Sequence, residues 1–241
     1  MKFAIAATAI TVLSVSGAHA ADLSYGTPNA QLYSPVSAVN WTGPHIGINI
    51  GAGSGNVSGS YSGTLFGGSV DGQPVVPFGT SGVIGGVQLG YDIQSGPWVF
   101  GIEGDIDASG ITGSGRQFSG STNVDASSRL NWLGTFRGRL GYAFDQWLLY
   151  VTGGLAVANN TVTVVATGTS PGNASSTQTH TGWTLGVGGE YSLSQHWSIG
   201  AEYRYLDLGT KTYTDPVNLP GGSAAVHLTD NVFLAKINYH W

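Results

Sequence analysis

The chain has 241 residues, only 9% of them charged, with 39 Gly, no Cys and a formal net charge of −5. A water-facing surface normally carries a far denser cover of Lys and Glu, so an ordinary soluble domain is excluded. The missing Cys removes disulfide frameworks, thiolate metal sites and a Cys nucleophile, and the acidic balance argues against a polyanion-binding groove.

Residues 1–20 read as an export signal. Lys2 opens it, residues 3–15 are an apolar run too short to span a bilayer, and Ala18-His19-Ala20 supplies the small residues of a cleavage site. No later stretch approaches the ~18–20 apolar residues of a membrane helix. Residues 21–40 form a polar, Pro-containing lead-in without periodicity, expected to be a flexible periplasmic segment. The remaining domain, 41–241, repeats one pattern: eight runs alternating with period two at about 45–53, 82–93, 98–109, 130–144, 147–158, 182–191, 197–208 and 231–241. Their lengths suit tilted membrane strands.

Connections alternate as well. Residues 94–97, 145–146 and 192–196 are tight turns, while 54–81, 110–129, 159–181 and 209–230 are long, polar and expected to be loops. Tryptophans mark the ends of the runs. Trp98, Trp147, Trp197 and Trp241 belong to the short-turn rim, Trp132 and Trp183 to the opposite rim, and Trp41 precedes the first run on the short-turn side. Paired aromatic rims with short turns on one side are features of transmembrane β-barrels, whose short turns are periplasmic and whose long loops are extracellular.

Face assignment is consistent between hairpins. Setting Ile93 opposite Trp98 collects Val87, Leu89, Tyr91, Phe100, Ile102 and Ile106 on one face and Gln88, Asp92, Glu103, Asp105 and Asp107 on the other. Setting Phe144 opposite Trp147 separates Phe136, Leu140, Leu149 and Val151 from Arg137, Arg139, Tyr150 and Thr152. Leu185, Val187 and Ile199 likewise oppose Thr184, Glu190, Glu202 and Arg204, and Phe233, Ile237 and Tyr239 oppose Lys236, Asn238 and His240. The aromatic-rimmed face lacks charge. A soluble ligand-binding barrel would have the reverse, so the expected fold is an all-β, eight-stranded, antiparallel up-and-down transmembrane barrel with a polar interior.

Six ordered motifs strengthen this reading: Trp41-Thr42-Gly43-Pro44-His45-Ile46-Gly47, the stretch 101–107 (GIEGDID), 137–142 (RGRLGY), 150–156 (YVTGGLA), 182–191 (GWTLGVGGEY) and 201–205 (AEYRY). Together they resemble the alphaproteobacterial immunogenic outer-membrane proteins, a porin-family group allied to OmpA-like and opacity-like eight-stranded barrels. The resemblance covers essentially all of the chain after the lead-in. It implies an integral protein of the Gram-negative cell outer membrane, exposed at the surface as an antigen and contributing to envelope structure. It also implies contact with the lipid bilayer and lipopolysaccharide, and a terminal strand, 231–241, resembling the recognition signal of the barrel assembly machinery. Because relatives include haemin binders, adhesins and porins, a haemin-binding surface protein, an adhesin and a narrow porin-like channel stand as alternatives.

The densest chemistry is a lumen charge network: Glu103, Asp105 and Asp107 with Arg137 and Arg139, and a second group of Glu190, Glu202, Arg204 and Lys236. Buried charges persist when paired, so the expected role is to fill the barrel and fix its register; an ion path lined by charged rings is the alternative. A catalytic carboxylate pair is disfavoured by the intervening arginines. His45, His196 and His240 are expected near the periplasmic rim, whereas His180 and His227 fall in or beside long loops and are the candidate axial ligands if haemin binds. Otherwise no cofactor or metal is expected. Ser175 and Ser176 near His180 lack a nucleophile-elbow context, and Gly51-Ala52-Gly53-Ser54-Gly55 reads as a strand end rather than a phosphate loop. No enzymatic activity, no nucleic-acid partner and a monomeric state are expected.

Overall fold

The computed structural model describes residues 39–65, 68–69, 72, 77–119, 122–168, 172–214 and 223–241. The expected export signal and most of the lead-in lie outside the described residues.

Eleven strands are present among the described residues: β1 (Gly43–Ser62), β2 (Thr64–Leu65), β3 (Gly68–Ser69), β4 (Phe78–Ser95), β5 (Trp98–Ser109), β6 (Thr112–Ser119), β7 (Thr122–Phe144), β8 (Trp147–Gly168), β9 (Gly172–Ser192), β10 (Trp197–Thr214) and β11 (Ser223–His240). Eight of them close a ring, β1-β11-β10-β9-β8-β7-β5-β4, with β1 pairing back onto β4, every neighbour antiparallel. The fold is therefore the expected eight-stranded antiparallel ring. β6 continues the line of β5 after a break at Gly110 and Ile111 and pairs with β7, while β2 and β3 form a separate small hairpin.

The short turns follow from local chemistry. Gly96 (φ 59°) and Asp145 (φ 51°) supply the left-handed residues that two-residue hairpins need. In the first hairpin Ser95, not Ile93, faces Trp98, and Ile93 faces Phe100. This shift of two residues preserves the pleat, so every side chain keeps its expected face.

The outer surface between the aromatic rims is apolar. Ile48, Ile50, Val87, Leu89, Phe100, Ile102, Phe136, Leu149, Leu155, Leu185 and Phe233 are all exposed, as are Trp98, Trp132, Trp147, Trp183, Trp197 and Trp241 at its edges. An apolar belt running round a whole molecule has no place in water and is matched by the hydrocarbon of a bilayer. Around its short-turn edge Tyr239 packs against Trp197 and Trp241, with ring centroids 5.2 and 5.0 Å apart.

The structure corrects the expected loops. Most of 54–81, 110–129, 159–181 and 209–230 is strand, so the staves run 18 to 23 residues in β4, β7, β8, β9, β10 and β11. A membrane strand needs ~9–11 residues, and the surplus projects beyond the Trp132/Trp183 rim. Polarity inverts at that rim. In β11 the outward residues change from Phe233, Ala235 and Ile237 to His227, Thr229 and Asn231, while the inward ones change from Lys236 and Asn238 to Val226, Leu228 and Val232, with Asp230 the one charged residue buried among them. The projecting part is thus built as a water-soluble barrel with an apolar interior.

Candidate functional site: the filled barrel interior

Between the rims, the inward residues of the ring converge on the barrel axis. The two charge groups expected from the sequence are one network. Arg137, on β7, donates to Glu103 on β5 and to Glu202 on β10, and reaches Asp105 at 2.8 Å. Arg204 on β10 meets Asp105 at 3.1 Å and Glu202 at 2.9 Å; Lys236 on β11 meets Glu103 at 2.8 Å and Glu202 at 2.7 Å. Arg139 reaches Glu190 at 2.7 Å and Asp92 at 3.3 Å. Asp107 accepts from Asn49 at 2.9 Å. All these side chains are buried. Opposite charges from β4, β5, β7, β9, β10 and β11 are therefore tied across the lumen rather than along one wall.

Small residues make the room. A methyl group at Gly188 would fall 2.6 Å from the Tyr150 hydroxyl, and one at Gly186 would fall 2.5 Å from Thr152 Oγ1 and 2.9 Å from Glu202 Oε1. The glycines opposite the network are sockets for its side chains. Tyr150 lies beneath Arg139, whose guanidinium carbon is 4.0 Å from the ring centre, and its hydroxyl donates to Glu202 at 3.2 Å.

The short-turn end is capped. Trp41 is 2% exposed, so it is a plug inside the barrel rather than a rim residue. Gly43 (φ 140°) turns the chain inward, Gln94 Oε1 accepts the Trp41 amide at 2.8 Å, and the indole packs edge-on to His240 at 5.4 Å beside Val99 and Leu148. His45 and His240 are likewise inside, 5.4 Å apart between ring centroids; His45 stands 3.5 Å from both Asp92 and Glu103, and Ser198 Oγ is 3.0 Å from His240 Nε2. The charge network expected from the sequence omits Asp92 and His45, although their parity along the strands already assigns them to the interior. His196 stays outside, stacked on Tyr239.

The far end is closed by apolar packing of Val57, Ile84, Ile111, Leu130, Leu133, Leu206, Leu208, Val226, Leu228 and Leu234. Sequence reasoning misses this second core, because the stretches that build it read as loops.

His180 and His227, the candidate haem ligands, are not brought together. His180 is buried inside, with Nδ1 3.2 Å from the Leu208 carbonyl and Nε2 2.7 Å from the Tyr213 hydroxyl; burial lowers its pKa from the ordinary 6.5. His227 lies on the outward face of β11, beside Thr210 at 3.3 Å and Asp207 at 3.7 Å. Among the described residues there is no cluster of three or more His, Cys, Asp or Glu suited to a metal ion.

A closed ring of membrane-length strands, an apolar belt between aromatic rims and a charged interior define an integral outer-membrane β-barrel. The chain belongs to the outer membrane protein β-barrel domain family, whose model matches residues 5–240. It is 34% identical to the 31 kDa outer-membrane immunogenic protein of Brucella melitensis biotype 1, with 100% of this chain and 96% of that one covered. It is also 34% identical to the 22 kDa outer membrane protein of Rhizobium leguminosarum bv. viciae over 56% of each chain. Among solved structures the outer membrane protein OprG from Pseudomonas aeruginosa shares the fold, with a TM-score of 0.53, 13% identity, and 84% of this chain and 98% of that one covered.

Proposed function

We propose that this outer-membrane barrel is a non-catalytic structural and surface-presenting component of the envelope, with its short turns in the periplasm and its projecting staves outside the cell. The observation that carries this reading is the filled interior: Trp41 and Leu148 at one end, the Arg137–Glu202–Lys236 network in the middle and the apolar core at the other. A narrow barrel is wide enough for its own side chains and little else. Each of Glu103, Asp105, Glu190 and Glu202 faces a guanidinium or ammonium group, which supports a structural role over acid-base catalysis. The chain is a monomer that arrives through a cleaved signal, folds with the help of the barrel assembly machinery acting on β11, and has lipopolysaccharide as its neighbour in the outer leaflet.

The test combines planar-bilayer conductance with haemin absorbance on the purified barrel. No stable conductance and no Soret shift are expected. Reproducible channels whose ion selectivity changes in Arg137→Glu would establish a pore instead, and a Soret shift lost in the His180→Ala/His227→Ala double variant would establish a haemin binder.

A further inference from the structure

Beyond the Trp132 rim, the outward face of β7, β8 and β9 is a polar sheet in unbroken register. Arg129 stands opposite Thr161, which stands opposite Thr177; one pleat farther out, Ser127 stands opposite Thr163, which stands opposite Ser175. Thr161 and Thr177 share a hydrogen bond of 2.8 Å and Thr163 and Ser175 one of 3.2 Å, so the hydroxyls form ordered cross-strand pairs. Asn131 bridges toward the rim by donating to Asn159 at 2.8 Å and Thr161 at 3.0 Å.

This face lacks the charge density with which proteins usually meet bulk water. The nearby pair Arg116 and Asp125 neutralise one another at 2.5 Å, whereas Arg129 is exposed and makes no salt bridge among the described residues. Arg129 precedes Trp132 on the same strand, which places it about 10 Å past the aromatic rim along the chain.

We infer that the Arg129 and Ser127 rows form a docking surface for the phosphorylated sugar headgroups of lipopolysaccharide in the same leaflet. The inference rests on the outward orientation given above and names the surface that meets that neighbour. The sheet is continuous with the lipid-facing belt of the same strands, so its occupant is whatever lies directly above the acyl chains. In an outer membrane that layer is sugar bearing phosphate. Paired hydroxyls can donate to and accept from sugar hydroxyls in either direction. A guanidinium at the inner edge of the sheet matches a phosphate at the inner edge of the sugar layer through a bidentate pair. The β-branched Thr161, Thr163 and Thr177 also favour the strand conformation that keeps these rows in register.

The experiment uses the protein extracted from outer membranes in mild detergent. It is titrated separately with purified lipopolysaccharide, with its deacylated phospho-oligosaccharide and with phosphatidylglycerol, and Kd is read by thermophoresis. Arg129→Ala and the double variant Thr161→Val/Thr163→Val should each weaken binding of lipopolysaccharide and of the deacylated oligosaccharide about fivefold. Arg129→Lys should recover part of the loss, and phosphatidylglycerol binding should not change. Heat-modifiable migration on gels reports whether each variant keeps its barrel. Oligosaccharide affinities equal in wild type and variants, or no oligosaccharide binding by the wild type, would overturn the surface while leaving the envelope role to the conductance and haemin tests. An equal loss for phosphatidylglycerol would also overturn it, by reducing the site to a bare phosphate contact.

Discussion

The guanidinium carbon of Arg139 lies 4.0 Å from the centre of the Tyr150 ring, and the same guanidinium is tied to Glu190 at 2.7 Å. Two walls of the barrel, β7 and β9, are thereby joined through a side chain that is itself stacked on β8. Removing one partner of such a buried pair leaves the other charge uncompensated, which costs ~3–5 kcal/mol. Arg139→Ala should therefore lower the unfolding free energy in urea by about that amount, whereas Arg116→Ala, which breaks an exposed, solvent-screened pair, should leave the unfolding midpoint nearly unchanged. Similar small effects for both would mean that water reaches Arg139 and the lumen is open.

The interior glycines offer a second comparison. At Gly188 a side chain would collide with the Tyr150 hydroxyl and, at 2.8 Å, with the Ala201 carbonyl, but at Gly138 the nearest atom is the Gly153 carbonyl at 3.8 Å on the lipid side. Overpacking a filled interior costs ~1–3 kcal/mol. Equilibrium unfolding should show Gly188→Val destabilised by that much and Gly138→Ala unchanged or slightly stabilised; the opposite order would reverse the inside and outside assignments.

His180 links β9 to β10 beyond the rim, where the two strands have parted. Their pairing ends at Asp207 opposite Trp183, and the bulge at Gly209 (φ 65°) turns β10 away. The Leu208 carbonyl requires Nδ1 of His180 to be the donor, so Nε2 accepts from Tyr213, whose oxygen in turn accepts from Asn160 at 3.2 Å. Protonation would put a second donor against that hydroxyl, and Lys211 and His227 oppose the added charge. Because the folded-state pKa lies below the ordinary 6.5, the neutral form is favoured by folding. The stabilisation is present above pH 6.5 and is lost as pH falls below it toward the folded-state value. Hydrogen exchange in 172–181 and 208–213, corrected for intrinsic rates, should accelerate on acidification through that window, and His180→Asn should abolish the dependence. A wild-type profile that does not change with pH would show that the His180 link to Leu208 and Tyr213 carries no weight.

How much of this is legible in the sequence depends on which side of the rim a residue occupies. Between the rims lipid forces apolar residues outward at every second position, so Phe100, Leu149 and Leu185 reveal the strands and, by subtraction, place Arg137 and Glu202 inside. Beyond the rim both faces change character. Asn159, Thr161 and Thr163 face out while Ala158 and Val164 face in, and a search for apolar-out alternation reads such a stretch as polar loop. Its unbroken run of β-branched residues, Thr161 to Val165, is the overlooked signal. Trp41 escapes for a different reason: its place depends on the chain turning inward at Gly43, and nothing in a run of side chains reports that turn.

In the proposed topology the ring crosses the outer membrane with its short turns in the periplasm and its staves outside the cell. Single Cys substitutions at Thr163, on the exposed stave, and at Gln195, exposed in the turn between β9 and β10, test it directly with an impermeant thiol reagent, since the native chain has no Cys. In intact cells the Thr163→Cys protein should label and the Gln195→Cys protein should label only after the outer membrane is opened. Equal labelling of both in intact cells, or labelling of Gln195→Cys alone, would contradict the account.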